Sequence, residues 1–217
     1  MTELFYDPGT ASMVPHIVLE EIGAPYRRVL VDRMAQAHKR PEFLKLNPNG
    51  LIPVLRQDDL VVYETAAIVL HLCDTHPAAG LAPAIGTPQR AHFYQWLAWL
   101  TNTLQATLVL YFYPERSVNE GNAAGADEVK ARAEAKVAGL LDQLDTELAR
   151  RGGPWFLGDS YSALDAYVFT MCRWTRNFRH ETPARGRPHL QPYLERMMAR
   201  PALQRVMANE QLAPPYF

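Results

Sequence analysis

The chain lacks the features that would tie it to a membrane, a polyanion or an oxidising compartment. No apolar run is long enough to span a bilayer, and the opening Met1-Thr2-Glu3-Leu4-Phe5-Tyr6-Asp7 has neither the cationic start nor the apolar centre of a signal peptide. An unprocessed protein with no membrane association is expected. An excess of charge of one sign is missing as well: 22 basic residues stand against 23 acidic ones, and no basic run is interleaved with aromatics. With that balance nothing suggests a polyanion partner, and no nucleic acid is expected. Cysteine is scarce. Cys73 and Cys172 each sit inside a segment of helical apolar spacing, too few and too far apart for a disulfide scaffold or a metal motif. They read as buried core thiols of a cytoplasmic protein that holds no metal.

What is present is punctuation. Seventeen prolines fall mostly at segment edges, among them Pro15, Pro53, Pro88, Pro114, Pro154 and Pro201. The first eighty residues alternate strand and helix signals. Leu4 to Tyr6 is a short strand ended by Pro8-Gly9, and Ile17, Val18, Leu19 and Ile22 form a helical stripe that stops at Gly23. Tyr26 to Val31 is a second strand, Ala35 to Lys45 is loosely helical, Ile52 to Leu55 is a third strand containing Pro53, and Asp58-Asp59 turns into Leu60 to Tyr63. The last two strands read as an antiparallel hairpin, whereas a crossover of helical length makes the first two parallel. Thr65 to Thr75 closes the set as a helix.

From Thr87 onward strand signals vanish. Thr87-Pro88 opens a long helix that runs to Tyr113 before Pro114, and Asn119 to Gly125 reads as a loop. A second long helix carries Val137, Leu140, Leu141, Leu144 and Leu148 and ends at Gly152-Gly153. Helices follow from Ser162 to about Asn177, from Pro192 to Arg200, and after Pro201. With Pro77 to Pro88 as linker, two domains are expected, residues 1–78 and 88–217: an α/β domain built on a mixed four-stranded sheet, then an all-α helical bundle.

Three motifs in order raise this layout above a generic one: Asn47-Pro48-Asn49-Gly50-Leu51-Ile52-Pro53, then Tyr63-Glu64-Thr65 heading a helix, then Phe156-Leu157-Gly158-Asp159 leading into Ser162-Ala163-Leu164-Asp165. Over essentially the whole chain this resembles a cytosolic glutathione S-transferase, of bacterial beta- or theta-like type, with a thioredoxin-like N-terminal domain. Each motif also has its own physical reading. Pro53 removes a ladder donor, so it belongs at an edge or bulge and favours a cis bond after Ile52; the backbone of Ile52 is then open to an extended peptide. Pro53 could equally just end an edge strand. Glu64 and Thr65 stand at a helix N-terminus suited to a carboxylate, or they are a solvated acid and an ordinary N-cap. Ser162 and Asp165 form a capping box, with no catalytic role.

The resemblance implies that the peptide is glutathione, a co-substrate. Its cysteinyl backbone would pair with Ile52, its γ-glutamyl end would meet Glu64 and Thr65, and its glycyl carboxylate would meet His38, with Lys39 and Lys45 as neighbouring alternatives. Leu51 stands where theta-type relatives have a lysine. The reaction it implies is attack of the glutathione thiolate on a small hydrophobic electrophile, in a homodimer. The beta-type cysteine falls at Ala11 and the beta-type helix-four histidine at Gln105, so neither hallmark is present.

The remaining thiolate donors are Ser12 first, Thr10 second, the amides of Ala11 and Ser12, and more remotely Tyr6. Ser12 also reads as a plain N-cap, and serine-type relatives carry their serine one residue earlier. The electrophile pocket is expected from Met13, Thr103, Gln105, Leu108, Phe112, Tyr167, Trp174 and the pair Tyr216-Phe217. A glutathione- or protein-binding module without turnover is the alternative.

Overall fold

The computed structural model describes residues 1–217 in two compact units, Met1–Ala82 with Met198–Ala213, and Pro83–Met197 with Pro214–Phe217. In the first unit, β1 (Thr2–Tyr6), α1 (Met13–Ile22), β2 (Tyr26–Leu30), α2 (Pro41–Leu44), β3 (Val54–Gln57), β4 (Leu60–Tyr63) and α3 (Thr65–Thr75) follow in chain order. The sheet runs β2-β1-β3-β4. β1 and β2 are parallel, whereas β3 is antiparallel to β1 and β4 to β3. This is the mixed thioredoxin-like layout expected from the sequence. Leu4, Ile17, Leu19, Leu55, Ile68 and Leu72 are fully buried, and each such side chain stabilises the fold by about 1.5–3 kcal/mol. α1 stops where Gly23 takes a left-handed φ of 71° and returns its amide to Leu19 O at 3.0 Å.

Three local outcomes differ from the sequence reading. β3 starts at Val54, two residues later than expected, because Pro53 has no N–H for the ladder; the Ile52–Pro53 bond is cis. β1 starts at Thr2, where it pairs with Gln57. The stretch from Ala35 to Lys45 resolves into a 3₁₀ turn, Ala37–Lys39, and the single turn of α2.

The second unit is entirely helical. α4 (Pro88–Trp99), a π-helical segment Leu100–Gln105 and α5 (Ala106–Phe112) stand where one long helix was expected. Thr87 caps it as anticipated, accepting from Arg90 N at 3.2 Å. α6 (Ala123–Arg151) begins inside the stretch read as a loop, because Asn122 Oδ1 takes the amide of Gly125 at 2.9 Å and starts the helix there. α7 (Ala163–Trp174) is buried on nearly every face, and α8 (Leu190–Met198) follows. At the head of α7, Ser162 N donates to Asp165 Oδ2 at 2.8 Å, the reciprocal half of the capping box.

The last helix, α9 (Pro201–Asn209), belongs to the first unit and packs on α1. Arg200 makes a two-pronged bond to Glu21 at 2.6 and 2.8 Å, Arg205 reaches Glu20 at 2.6 Å, and Arg28 donates to Asn209 O at 2.9 Å. The sequence reading kept residues 88–217 together. Leu203, Val206 and Met207 gave α9 a buried stripe, but periodicity carries no information about which surface covers it.

Candidate functional site

The strand directions bring four chain segments to one end of the sheet. Parallel β1 and β2 both finish there; β3, antiparallel to β1, starts there, and β4, antiparallel to β3, finishes there. The segments are thus Asp7–Ser12 after β1, the 3₁₀ turn with His38 after β2, Leu51-Ile52-Pro53 before β3, and Glu64-Thr65 after β4. Ligands of α/β sheets bind outside the carboxyl ends of strands. The pairing of Val54 with Tyr63 carries Pro53 and Glu64 to adjacent positions.

Two helix N-termini open at this end. In α3 the first helical bond runs from Ile68 N to Glu64 O at 3.0 Å, so the amides of Thr65, Ala66 and Ala67 have no acceptor on the chain. Thr65 is 5% exposed and Glu64 is exposed. Glu64 holds φ 72° and ψ 119°, a conformation that disfavours any side chain by about 1–3 kcal/mol and persists where the surroundings over-determine it.

At α1 the turn is organised differently from the expectation. Ser12 is fully buried; its hydroxyl donates to Asp7 O at 3.1 Å, accepts from Asp7 N at 3.3 Å and lies 2.9 Å from Thr10 Oγ1. Ser12, expected first of the two hydroxyls, is thus the one committed within the turn. Ser12 ties the turn together from within and does not face outward, nor does its side chain cap α1. Thr10 is partly exposed and donates to Asp7 O at 2.7 Å. The amides of Ala11 and Ser12 are left without an acceptor, while those of Thr10 and Met13 go to Asp7 O and Thr10 O. Burial raises the Asp7 carboxyl and Asp32 and Glu210 push it the same way, with Arg33 opposing.

The loop before β3 rests on Asn47, a residue the motif contained but to which the sequence reading gave no task. Its Nδ2 donates to Leu51 O at 2.8 Å and its Oδ1 accepts from Asn49 N at 3.0 Å, so it fixes the loop that presents Ile52. The backbone of Ile52 makes no bond within the chain. Leu51 is half exposed, at 52%. Gly50 sits at φ 60° beneath His38 and Lys39: a Cβ there would meet His38 O at 2.9 Å and Lys39 Nζ at 3.0 Å. Gly50→Ala is therefore expected to destabilise the protein by about 1–3 kcal/mol and to shift the His38 turn; a melting temperature equal to the native one would count against this packing.

Of the side chains expected to line an electrophile pocket, Met13, Leu108 and Tyr167 are buried and contribute to the core. Gln105 accepts a hydrogen bond from the Tyr167 hydroxyl, which also lies 3.3 Å from Thr101 Oγ1. Phe112 is 43% exposed and meets Trp174 edge to face at 5.8 Å.

Family models match both parts of the chain: "Glutathione S-transferase, N-terminal domain" over residues 11–75 and "Glutathione S-transferase, C-terminal domain" over residues 127–196. The glutathione S-transferase GST-4.5 of Xanthomonas campestris pv. campestris is 30% identical over 97% of this chain and 99% of its own. The chain belongs to the glutathione S-transferase family. Among solved structures, a Sulfitobacter glutathione transferase homologue with bound glutathione superposes with a TM-score of 0.87 at 26% identity, covering 98% of this chain and 99% of the other. A sphingomonad glutathione S-transferase complexed with glutathione gives 0.82 at 32% identity, over 97% and 100%. The N-terminal transferase match takes in Ala11, His38, Ile52, Pro53, Glu64 and Thr65 together. No helix is long and apolar enough to cross a membrane.

Proposed function

We propose that this member of the family is a glutathione transferase whose thiolate is held by the amides of Ala11 and Ser12 and by the Thr10 hydroxyl. The observation that carries the reading is the pair of open helix N-termini at one end of the sheet, one at Ala11-Ser12 and one at Thr65-Ala67. Each presents amides and a positive dipole end, and two of the three anionic groups of thiolate glutathione, the γ-glutamyl carboxylate and the cysteinyl sulfur, suit such ends. The carboxylate goes to the head of α3 and the Thr65 hydroxyl, and Glu64 accepts from the ammonium group. The cysteinyl backbone pairs with Ile52 across Pro53, and the His38–Lys39 turn takes the glycyl carboxylate.

Lowering a thiol pKa by two units requires about 2.7 kcal/mol of preferential stabilisation of the anion. Two amides and a hydroxyl at a dipole end are of the right size for that. Thr10 turns its proton from Asp7 O to the sulfur, while Ser12 keeps Asp7 O satisfied. The electrophile is a hydrophobic molecule. A homodimer belongs to the same reading, and the two buried free thiols fit a cytoplasmic setting.

The test is an ultraviolet difference spectrum for bound glutathione thiolate at neutral pH. Thr10→Val is expected to lower the thiolate fraction by up to about tenfold. Ser12→Ala is expected to leave the band largely in place while destabilising the fold by about 1–3 kcal/mol. No band in the native protein would favour a binding module without turnover. A band lost in Ser12→Ala but kept in Thr10→Val would restore Ser12 as the donor.

A further inference from the structure

The turn that carries the open amides is fastened from the far end of the chain. Glu210 lies one residue beyond α9, and its carboxylate bridges two partners: Oε2 accepts the Gly9 amide at 2.7 Å, and Oε1 lies 2.6 Å from His16 Nδ1. Both side chains of the His16–Glu210 pair are fully buried. Leu212 covers Gly9, with its Cδ2 3.5 Å from where a Cβ would stand. The segment cannot drift, because Glu210 N returns to Val206 O at 2.9 Å and Leu212 N to Met207 O at 3.0 Å. Tyr6 and Tyr26 pack their rings 6.1 and 5.9 Å from the His16 ring, and Tyr26 donates to Glu20 at 2.6 Å.

A buried carboxylate is a poor choice for merely docking a helix, since apolar side chains would do so without the desolvation cost. What the carboxylate does that a leucine could not is claim the Gly9 N–H. With Gly9 committed to Glu210 and Thr10 N to Asp7 O, the unclaimed amides of the turn are those of Ala11 and Ser12.

We infer that Glu210 is a positioning residue for the thiolate: its carboxylate, fixed by α9, sets the Gly9–Ser12 turn so that the Ala11 and Ser12 amides and the Thr10 hydroxyl converge on the sulfur. This rests on the reading of that turn as the thiolate site. Glu210 touches neither glutathione nor electrophile; it acts through Gly9 and His16.

Two conservative variants separate reach from charge. Glu210→Asp keeps the carboxylate but shortens it by one methylene, so it cannot span Gly9 N and His16 Nδ1 together. Glu210→Gln loses the charge but keeps the reach, with Oε1 accepting from Gly9 and Nε2 donating to His16 Nδ1. A third variant, Arg205→Ala, loosens α9 at its tie to Glu20 without touching the turn. The readout is the pH titration of bound glutathione thiolate, with a melting curve beside it.

Glu210→Asp is expected to raise the apparent thiol pKa by about one unit, a tenfold loss of thiolate below it. Glu210→Gln is expected to stay within about twofold of native, and Arg205→Ala to lower the melting temperature without moving the titration. A Glu210→Asp titration identical to the native one overturns the inference. So does a shift in Arg205→Ala as large as that in Glu210→Asp, or one in Glu210→Gln that matches it. A native protein with no thiolate band sinks the thiolate reading itself, and this inference with it.

Discussion

Asp165→Ala is expected to destabilise the helical unit by about 3–5 kcal/mol. The carboxylate collects four donors: Phe156 N at 2.8 Å and the Tyr193 hydroxyl at 3.0 Å on Oδ1, Ser162 N at 2.8 Å and the Ser162 hydroxyl at 3.2 Å on Oδ2. All three donor residues are buried. Alanine would leave every donor without an acceptor in a place water does not reach. For a chain of this size the expected fall in melting temperature is about 10 °C.

The same group makes a pH-dependent contribution. Burial pushes the Asp165 carboxyl from 3.8 up to about 6, against the pull of its four donors. Between those values the folded protein holds a proton that the unfolded chain has released, so this group's contribution falls as pH rises through the window, by about 3 kcal/mol at most. Urea unfolding at pH 4 and pH 7 measures both effects. An Asp165→Ala variant within 1 kcal/mol of native at pH 7 (roughly one ordinary hydrogen bond) would show that the capping network is not what holds α7.

Glu64→Gly is expected to raise the dissociation constant for glutathione by about tenfold to a hundredfold while leaving the fold as stable as the native one, or more stable by up to about 1 kcal/mol. The two effects have separate origins. At φ 72° a glycine is less strained than any other residue, so the backbone at position 64 relaxes. The lost side chain is the acceptor proposed for the ammonium group, and a hydrogen bond to a charged partner contributes about 1.5–3 kcal/mol. Calorimetric titration with glutathione and a melting curve on the same sample decide the matter. Unchanged affinity would remove Glu64 from the cradle, and a clear loss of stability would show that its backbone conformation is not a strained one.

The local structure at this end of the sheet was legible because its determinants are local. Pro53 announces an edge, Gly23 announces the end of α1, and Tyr63-Glu64-Thr65 announces a helix head; each acts within a few residues of itself. The hairpin of β3 and β4 and the parallel pairing of β1 with β2 followed from connection length alone. What the sequence could not disclose depends on neighbours distant in the chain. Ser12 looked like the outward donor of its turn, but the turn folds so that Asp7 takes both faces of its hydroxyl. Met13 and Leu108 looked like pocket lining and are core. The π-helical segment at Leu100–Gln105 has no signature in composition, since Leu, Thr, Asn and Gln suit an ordinary helix. Asn47 was in plain view inside its motif, and an Asx turn before a tight loop was the signal available to find it.

The placement of α9 bears on how the protein is made. The sheet and its first three helices are complete within the first 82 residues, yet the unit they belong to also needs Met198–Ala213. His16, buried beside Glu210, must wait for a partner synthesised almost two hundred positions later. Until then α1 displays the surface that α9 will cover, with Glu20 and Glu21 lacking their arginines. Contacts of such separation form slowly, and on the ribosome the nascent sheet emerges with its Gly9–Ser12 turn still unfastened. A segment that follows the helical unit's α8 thus completes the sheet unit, so a chain cut between residues 82 and 198 carries the whole Asn47–Thr65 stretch and still lacks the Glu210 fastening of the Gly9–Ser12 turn.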